Sequence, residues 1–414
     1  MRVGIIGGGA AGLMAAATIL ETAPEAELFV IERNDGLGKK VIISGGGRCN
    51  VTTGIQDVRT VLTKYPRGGK FLSKAMYHFP PADVYAWFEQ HGVPLKVEED
   101  LRVFPQSDNG KDIVGVFEKL FRSSRARILL RHAVESVRKE GRGFRIGFKG
   151  GETLDVDIVV LTTGGQAYRQ TGSAGDGYAF AMSLGHTITK LAASLNAFFT
   201  RETWPAEVSG LSFERATIKT KRDKEYSFTG PFLFTHRGVS GPAVFALSSL
   251  VAFEQYDTHT PLNITIDLFP DETIDEMMKR MEIAISHAPK KSFLNMCATV
   301  VSKSLAEVML HQLHLPGDVH AGEVSRKNVL RCVQWLKAIP LEVVGRGAGD
   351  EFVTAGGVDL SEVDPQTMES KICPGLYFAG EILDVDGYTG GFNLQASWAA
   401  GRLAGSSISA KMES

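Results

Sequence analysis

Apolar and polar positions fall into short blocks at the start of the chain. Arg2–Ile6 (RVGII) is an apolar run suited to a strand buried on both faces. Gly7–Gly12 (GGGAAG) reads as a turn, Leu13–Thr22 as an alanine-rich helix, and Glu27–Glu32 (ELFVIE) as a second strand. Strand, helix and strand in so short a span predict a βαβ unit, which builds a parallel sheet. Helical spacing over Pro81–His91 has proline in its first turn and Gly92 at its end. Ser107 and Asp108 are placed to cap a helix from Lys111 to Arg122. Strands are expected at Arg127–Leu130, Val134–Lys139 and Phe144–Phe148. Asp157–Thr163 (DIVVLTT) is a further buried strand that runs into Gly164-Gly165.

The pattern changes near Leu191. Residues 191–270 alternate strand-like runs (ATIKTKR, YSFTGPFLFTH, LNITIDLF) with turns and lack the strand–helix rhythm. Residues 271–338 have helical spacing throughout, and a glycine-rich strand-and-turn style returns after Pro340, ending in a helix over Gln395–Ser407. The simplest organisation is one α/β domain split around a β-rich insert that is followed by a helical piece.

Composition narrows the class. The 414 residues carry 45 basic and 47 acidic side chains, a formal charge of −2, with 43% hydrophobic residues. That balance gives no electrostatic footprint for nucleic acid or an acidic membrane surface, so a small-molecule substrate is expected. No run is long and apolar enough to predict a membrane span. Cys49, Cys297, Cys332 and Cys373 are far apart and form no CxxC pair, which argues against a disulfide framework and suits a reducing cytoplasm.

Gly7-Gly8-Gly9-Ala10-Ala11-Gly12 fits GxGxxG in the context that motif needs: it follows a strand, opens a helix, and precedes Glu32 by 20 residues counted from Gly12. Gly7 would make the tight turn, Gly9 admit a pyrophosphate, and Gly12 allow close packing of helix on strand. Ala10 and Ala11 would present N–H donors to the phosphates. Glu32 would accept ribose hydroxyls and disfavour a 2′-phosphate. Two later segments suit an extended flavin dinucleotide. DIVVLTTGG (157–165) ends in Thr163-Gly164-Gly165, whose backbone can pass the cofactor. GLYFAGEILDVDGYTGGFNLQASWAAGRLAG (375–405) supplies Gly380 and Glu381, with Glu381 expected on the ribityl hydroxyls. Gly391 and the N–H groups of Phe392, Asn393 and Leu394 would face the pyrimidine edge of the ring system.

Several of these segments together resemble the YhiN/BaiN-like family of FAD-dependent oxidoreductases, also called the aminoacetone oxidase family. They are ISGGGRCN, RVFPQSDNGKDIV (102–114), TGSAGDGYAFA (171–181), FLFTHRGVSGPAV (232–244), TAGGVDLSEVDPQTMES (354–370), GLYFAGE and GYTGGFNLQ. The resemblance covers nearly the whole chain; Gln166–Arg169 (QAYR) departs from the Tyr-Pro common in the family. It is similar more distantly to the fumarate reductase flavoprotein group. It implies a Rossmann-like FAD-binding domain (1–190 and 351–414), interrupted by a β-barrel (191–270 and 339–350) and a helical subdomain (271–338).

On that resemblance, 41–50 (VIISGGGRCN) is the loop after the second strand, passing beside the flavin. Gly45, Gly46 and Gly47 would let the backbone approach the ribityl chain or ring. Arg48 and Asn50 would face cofactor or substrate, and Lys39 and Lys40 would lie near the adenosine or pyrophosphate. Arg33 and Val134 complete the expected cofactor-binding set. His236 in FTHRGVSGP is a candidate acid/base, since imidazole can give or take a proton near neutral pH; a histidine at a strand end is the plain alternative. Tyr168 and Asn50 are further catalytic candidates, with Arg237 behind them. Cys49 has no second cysteine nearby and reads as packing. Asp384 and Asp386 are expected to hydrogen-bond the cofactor rather than hold a metal. The expected chemistry is hydride transfer at flavin N5. The family offers NAD(P)H-dependent reduction of an activated C=C bond, with NADH or NADPH bound transiently, or oxidation of a small amine by O₂. A flavin-binding sensor or scaffold, and a plain NAD-dependent dehydrogenase, are the rivals from other classes.

Overall fold

The computed structural model describes residues 1–347 and 352–413. The chain divides into two compact units, one formed by Met1–Ser194 with Glu351–Ser414 and the other by Leu195–Asp350. The boundary expected at 350/351 lies outside the described residues.

The first unit is built on a five-stranded sheet in the order Leu376–Phe378, Ile158–Leu161, Arg2–Ile6, Glu27–Glu32, Arg127–Leu130. Every pairing is parallel; Ile5 sits between Val30 and Val160. Ile158–Leu161 is buried at every position, as its unbroken apolar run requires. The helix Ala10–Thr22 lies against the C-terminal helix Phe392–Glu413 at backbone contact. A Cβ on Gly401 would stand 2.4 Å from the Ala11 carbonyl oxygen, and one on Gly405 2.8 Å from that of Ala15. Three small antiparallel sheets complete the unit among the described residues: Thr52–Thr53 with Arg102–Pro105 and Leu95–Val97, Val134–Glu140 with Gly143–Phe148 and Thr153–Val156, and Ala192–Ser194 with Val353–Ala355.

Local differences from the sequence-based expectations have clear causes. The helix expected from Lys111 starts at Gly110, and its cap is Asn109, whose side chain accepts from the Lys111 N–H at 3.1 Å; Ser107 instead bonds the Asp112 carboxylate. Val41–Ile43 is not loop but the end of a short helix, Lys39–Ile43, followed by a tight turn at Ser44–Gly47. The last helix begins at Phe392, earlier than Gln395, because the glycines before it supply the turn.

The second unit contains a closed antiparallel barrel: Phe198–Thr200, Gly238–Ser240, Glu225–Thr235, Ser212–Lys221, Leu262–Asp267, Ile339–Arg346 and back to the first. Leu262–Asp267 alternates buried and exposed positions, as one-sided burial demands. The helices Ile274–His287, Lys303–Gln312 and Arg326–Lys337 share a hydrophobic core with the barrel, through Met277, Leu305 and Trp335 against Trp204 and Ile266. The fold is therefore mixed α/β, with a parallel Rossmann-like sheet and a six-stranded antiparallel barrel.

Candidate functional site

The glycines of the first turn have separable roles. Gly7 has φ +112, and a Cβ there would lie 2.4 Å from the Thr162 carbonyl oxygen. A Cβ on Gly12 would lie 2.0 Å from the Gly7 oxygen, so helix and strand can close only on glycine. The Thr162 hydroxyl pins the turn by donating to the Gly7 carbonyl at 2.9 Å. Around Gly9 the situation reverses: a Cβ there would meet nothing within 4 Å. Gly9 is also the N-cap, with no side-chain cap, so the helix presents the N–H groups of Ala10 and Ala11 towards open space. An open face before uncapped donors is what an anionic pyrophosphate requires, and the residues present fit it.

Glu32, 9% exposed, is fixed over this turn. One carboxylate oxygen accepts from the Gly8 N–H at 2.9 Å, and the other from the Asn34 backbone and side-chain N–H at 2.8 and 2.7 Å. Arg33 pairs with Asp176, and Lys39 with Asp35 at 2.7 Å. Val134 opens its strand opposite Phe148, two residues beyond His132, whose backbone N–H donates to the Glu32 carbonyl at 3.0 Å.

The glycine run after the short helix is left-handed throughout, with φ +57, +72 and +89 at Gly45, Gly46 and Gly47. L side chains rarely adopt such angles, so backbone conformation alone selects glycine here. Around Gly46 and Gly47 nothing lies within 4 Å of an added Cβ, which leaves that backbone face open. Arg48 pairs with Glu98 at 2.7 Å, its guanidinium 3.8 Å from the Phe104 ring centre. Cys49 is fully buried, and burial pushes its thiol up to about 12, so it stays protonated at neutral pH. Asn50 ties this turn to the C-terminal glycine loop. In the orientation that satisfies both ends of its amide, it donates to the Thr52 carbonyl at 3.1 Å and accepts from the Gly391 N–H at 2.9 Å.

The C-terminal loop closes the cradle. Gly380, at φ +83, comes so near the first helix that a Cβ would stand 2.8 Å from that of Ala11. Gly391, at φ +87, passes over Thr52, whose carbonyl oxygen would be 2.2 Å from a Cβ. The first intrahelical bond that follows runs from the Gln395 N–H to the Gly391 carbonyl at 3.0 Å. Phe392, Asn393 and Leu394 thus belong to the donor-rich first turn. The Asn393 side chain turns back to the Gly387 backbone, and the Tyr65 hydroxyl donates to the Phe392 carbonyl at 2.7 Å.

Two ion pairs join distant parts of the sequence here. Lys40 Nζ lies 2.6 Å from Glu381, whose other oxygen accepts from the Thr354 N–H at 2.9 Å. Thr354 also caps the turn after Gly165 by accepting from the Gln166 N–H at 2.7 Å. Asp386 is fully buried and is held by both arms of Arg67 and by the Ser194 hydroxyl at 2.9 Å. Burial raises the Asp384 carboxyl, which accepts from Thr189 at 3.1 Å. Tyr168 has φ +58, a left-handed backbone that costs a non-glycine residue roughly 1–2 kcal/mol. Its ring centre is 5.7 Å from Lys40 Nζ. Sequence reasoning did not single out Arg67, Thr354 or Asn34. Thr354 opens a family-like motif and Asn34 follows close on Glu32, but nothing local marks Arg67.

Gly7–Gly12, Glu32, Lys40, Gly46–Asn50, Gly164-Gly165 and Gly380–Leu394 all belong to the first unit. His236 does not. It sits exposed at the tip of the two-residue hairpin between Thr235 and Gly238 in the second unit, with Arg237 over the Phe199 ring. Among the described residues there is no metal-binding cluster, and no helix is long and apolar enough to cross a membrane.

Residues 1–407 match the family described as the HI0933-like protein Rossmann domain. The chain belongs to that family. Its members are FAD-dependent oxidoreductases, and this protein is one. It is 29% identical over 406 residues to the 3-dehydro-bile acid delta(4,6)-reductase of Clostridium scindens, covering 98% of each chain. It is 30% identical over 416 residues to the ribosomal RNA dihydrouridine synthase of Haemophilus influenzae, covering 98% of each. The Escherichia coli protein of the same name is 29% identical over 397 residues, covering 96% of this chain and 95% of that one. Two of these relatives are named for RNA, so the exclusion of nucleic acid on net charge has no support here. Among solved structures, the fold is similar to 3-ketosteroid-delta4-(5alpha)-dehydrogenase from Rhodococcus jostii, with a TM-score of 0.52, 16% identity, and coverage of 98% of this chain and 96% of that one.

Proposed function

We propose that the protein reduces a C=C bond conjugated to a carbonyl group, with FAD held in the first unit and NADH or NADPH as electron donor. The observation that carries this reading is the joined cradle. The helices with donor-rich starts at Ala10 and Phe392 touch where Gly401 meets Ala11, Gly380 also approaches Ala11, and the open glycine faces at Gly9, Gly46 and Gly47 belong to the same unit. A dinucleotide with a pyrophosphate at its middle and an electron-poor ring at one end fits that pair of donors. When bound and reduced by the nicotinamide, FAD would supply a hydride from N5.

The rest is done by the chain. Glu32 would hold the adenosine ribose, and Ala10 and Ala11 the pyrophosphate. Gly46 and Gly47 leave passage for the ribityl chain, and the Phe392–Leu394 turn would stabilise negative charge at the pyrimidine edge. Lys40 and Glu381 neutralise each other, so the ribityl region carries no net charge from them. A bile acid enone and the uracil ring, suggested by the relatives' names, share one feature: a double bond polarised by a carbonyl. Hydride adds at the carbon distal to the carbonyl and a proton at the proximal one, so the protein must deliver a proton. Tyr168, in the same unit as the cradle, is the proposed donor, with Asn50 positioning the glycine loop.

The test begins with the visible spectrum, followed anaerobically by NADH or NADPH. Bleaching by either donor, then recovery with an enone or a uridine-containing RNA, is expected. A flavin inert to both donors but turned over by a small amine and O₂ would replace this reading with an oxidase. A protein that cannot be loaded with FAD would overturn it.

A further inference from the structure

The chain holds 45 basic against 47 acidic residues, but they are not spread evenly. Between Asp57 and Asp83 there is no carboxylate at all, while Arg59, Lys64, Arg67, Lys70 and Lys74 fall within that stretch, with Tyr77 and His78 beside them. The stretch folds as two short helices, Val58–Leu62 and Ser73–His78, joined by a turn. Arg59, Lys70 and Lys74 are exposed and Lys64 is partly so. Among the described residues, none of these four forms an ion pair, whereas Lys96, Arg102, Arg145 and Arg402 elsewhere in the same unit are each matched by a carboxylate. The flanking Asp57 is engaged in capping its helix, accepting from the Thr60 N–H at 2.8 Å. Tyr77 is 55% exposed, an unusual position for a large ring on an otherwise polar face.

This segment is also fastened to the candidate flavin loop. Arg67 clasps Asp386, the Tyr388 N–H donates to the Lys64 carbonyl at 3.0 Å, and the Tyr65 hydroxyl holds the Phe392 carbonyl. At Gly68, with φ +75, a Cβ would stand 2.5 Å from Val385, so the turn abuts the loop directly. Unmatched cations and an exposed ring are thus held at a fixed position against the loop that leads to the Phe392 helix.

We propose that residues 58–82 form an RNA-docking face, with Arg59, Lys64, Lys70 and Lys74 holding phosphates and Tyr77 offering its ring to an unpaired base. The inference rests on the reductase reading and names the carrier of the reducible ring. Phosphate contacts position a strand and a stacked ring fixes a base, which together hold one nucleotide beside the loop that leads to the Phe392 helix. An anionic membrane is the weaker fit, because Tyr77 is the one large hydrophobic side chain of this stretch that is exposed, and no apolar face is present for insertion.

The experiment uses the FAD-loaded protein and an unmodified in vitro transcript of ribosomal RNA, titrated at several salt concentrations. The triple variant Arg59→Ala, Lys70→Ala, Lys74→Ala should bind at least tenfold more weakly. Its slope of log affinity against log salt should be shallower by about 2, since each single-strand phosphate that a cation neutralises adds about 0.7 to that slope. Tyr77→Ala should weaken binding by about fivefold or more, with little change of slope. Flavin content and bleaching by nicotinamide should match the parent in all these variants. Unchanged RNA affinity and slope in the triple variant would overturn the proposal, as would equal binding to phosphatidylserine vesicles. Failure of flavin loading in the parent would instead sink the reductase reading, and the two failures are read by different signals.

Discussion

Arg67 reaches both oxygens of the fully buried Asp386 carboxylate, tying the turn after the first short helices to the loop that precedes the C-terminal helix. Removing Arg67 leaves an uncompensated carboxylate in a place water cannot reach, and removing Asp386 takes the buried carboxylate from a mostly buried guanidinium. Arg67→Met or Asp386→Leu alone should therefore cost about 3–5 kcal/mol of stability. The double variant should recover much of that loss, because no buried charge remains. Urea unfolding of the four proteins forms the cycle; additive losses would mean that the pair is not coupled.

Glycine is required at residues 12 and 46 for different reasons, and the two should fail differently. Gly12→Ala places a methyl 2.0 Å from the Gly7 oxygen, so the helix must shift and both stability and FAD retention should fall. Gly46→Val meets no neighbour within 4 Å but forces a β-branched residue to φ +72 beside the open face. It should lose flavin more than stability. Flavin-to-protein absorbance ratios together with melting temperatures distinguish the cases, and a normal ratio in Gly46→Val would remove this turn from the cofactor site.

Cys49 is buried, with its thiol pushed up to about 12. It should resist alkylation in the folded protein at neutral pH and react only on unfolding. Cys49→Ala should retain flavin reduction at the parent rate. A drop of tenfold or more in that rate, with flavin content intact, would give the thiol a part in the chemistry.

His186 is enclosed between Glu362 at 3.1 Å and Ser370 at 2.7 Å, and burial lowers its pKa despite the nearby carboxylate. The unfolded chain therefore takes up a proton near the ordinary value of 6.5 that the folded chain refuses. Stability from this group is present above that pH and is lost as pH falls through it towards the lower folded value. Melting temperature should decline below about pH 6.5, and the decline should flatten in His186→Gln. An equal decline in the variant would assign the effect to other groups.

Local pattern was sufficient wherever periodicity and neighbouring residues agree. Arg2–Ile6, Glu27–Glu32 and Arg127–Leu130 are strands over the residues that their apolar runs mark. The glycines at 7 and 12 sit where only a hydrogen atom fits, which is why a short motif sufficed to mark the turn. Whatever depends on partners far apart in the chain emerged only in three dimensions. Lys40 meets Glu381 and Arg67 meets Asp386 across more than three hundred residues, and no local pattern encodes such a pairing. The start of the last helix was likewise set by Gly391 crossing Thr52, not by its own periodicity. Net charge alone excludes no partner for the same reason: a sum over the chain is blind to which cations are neutralised in space. Local order follows from backbone sterics and short-range burial, which a sequence carries directly, whereas a site is made where distant segments meet, and only folding brings them together.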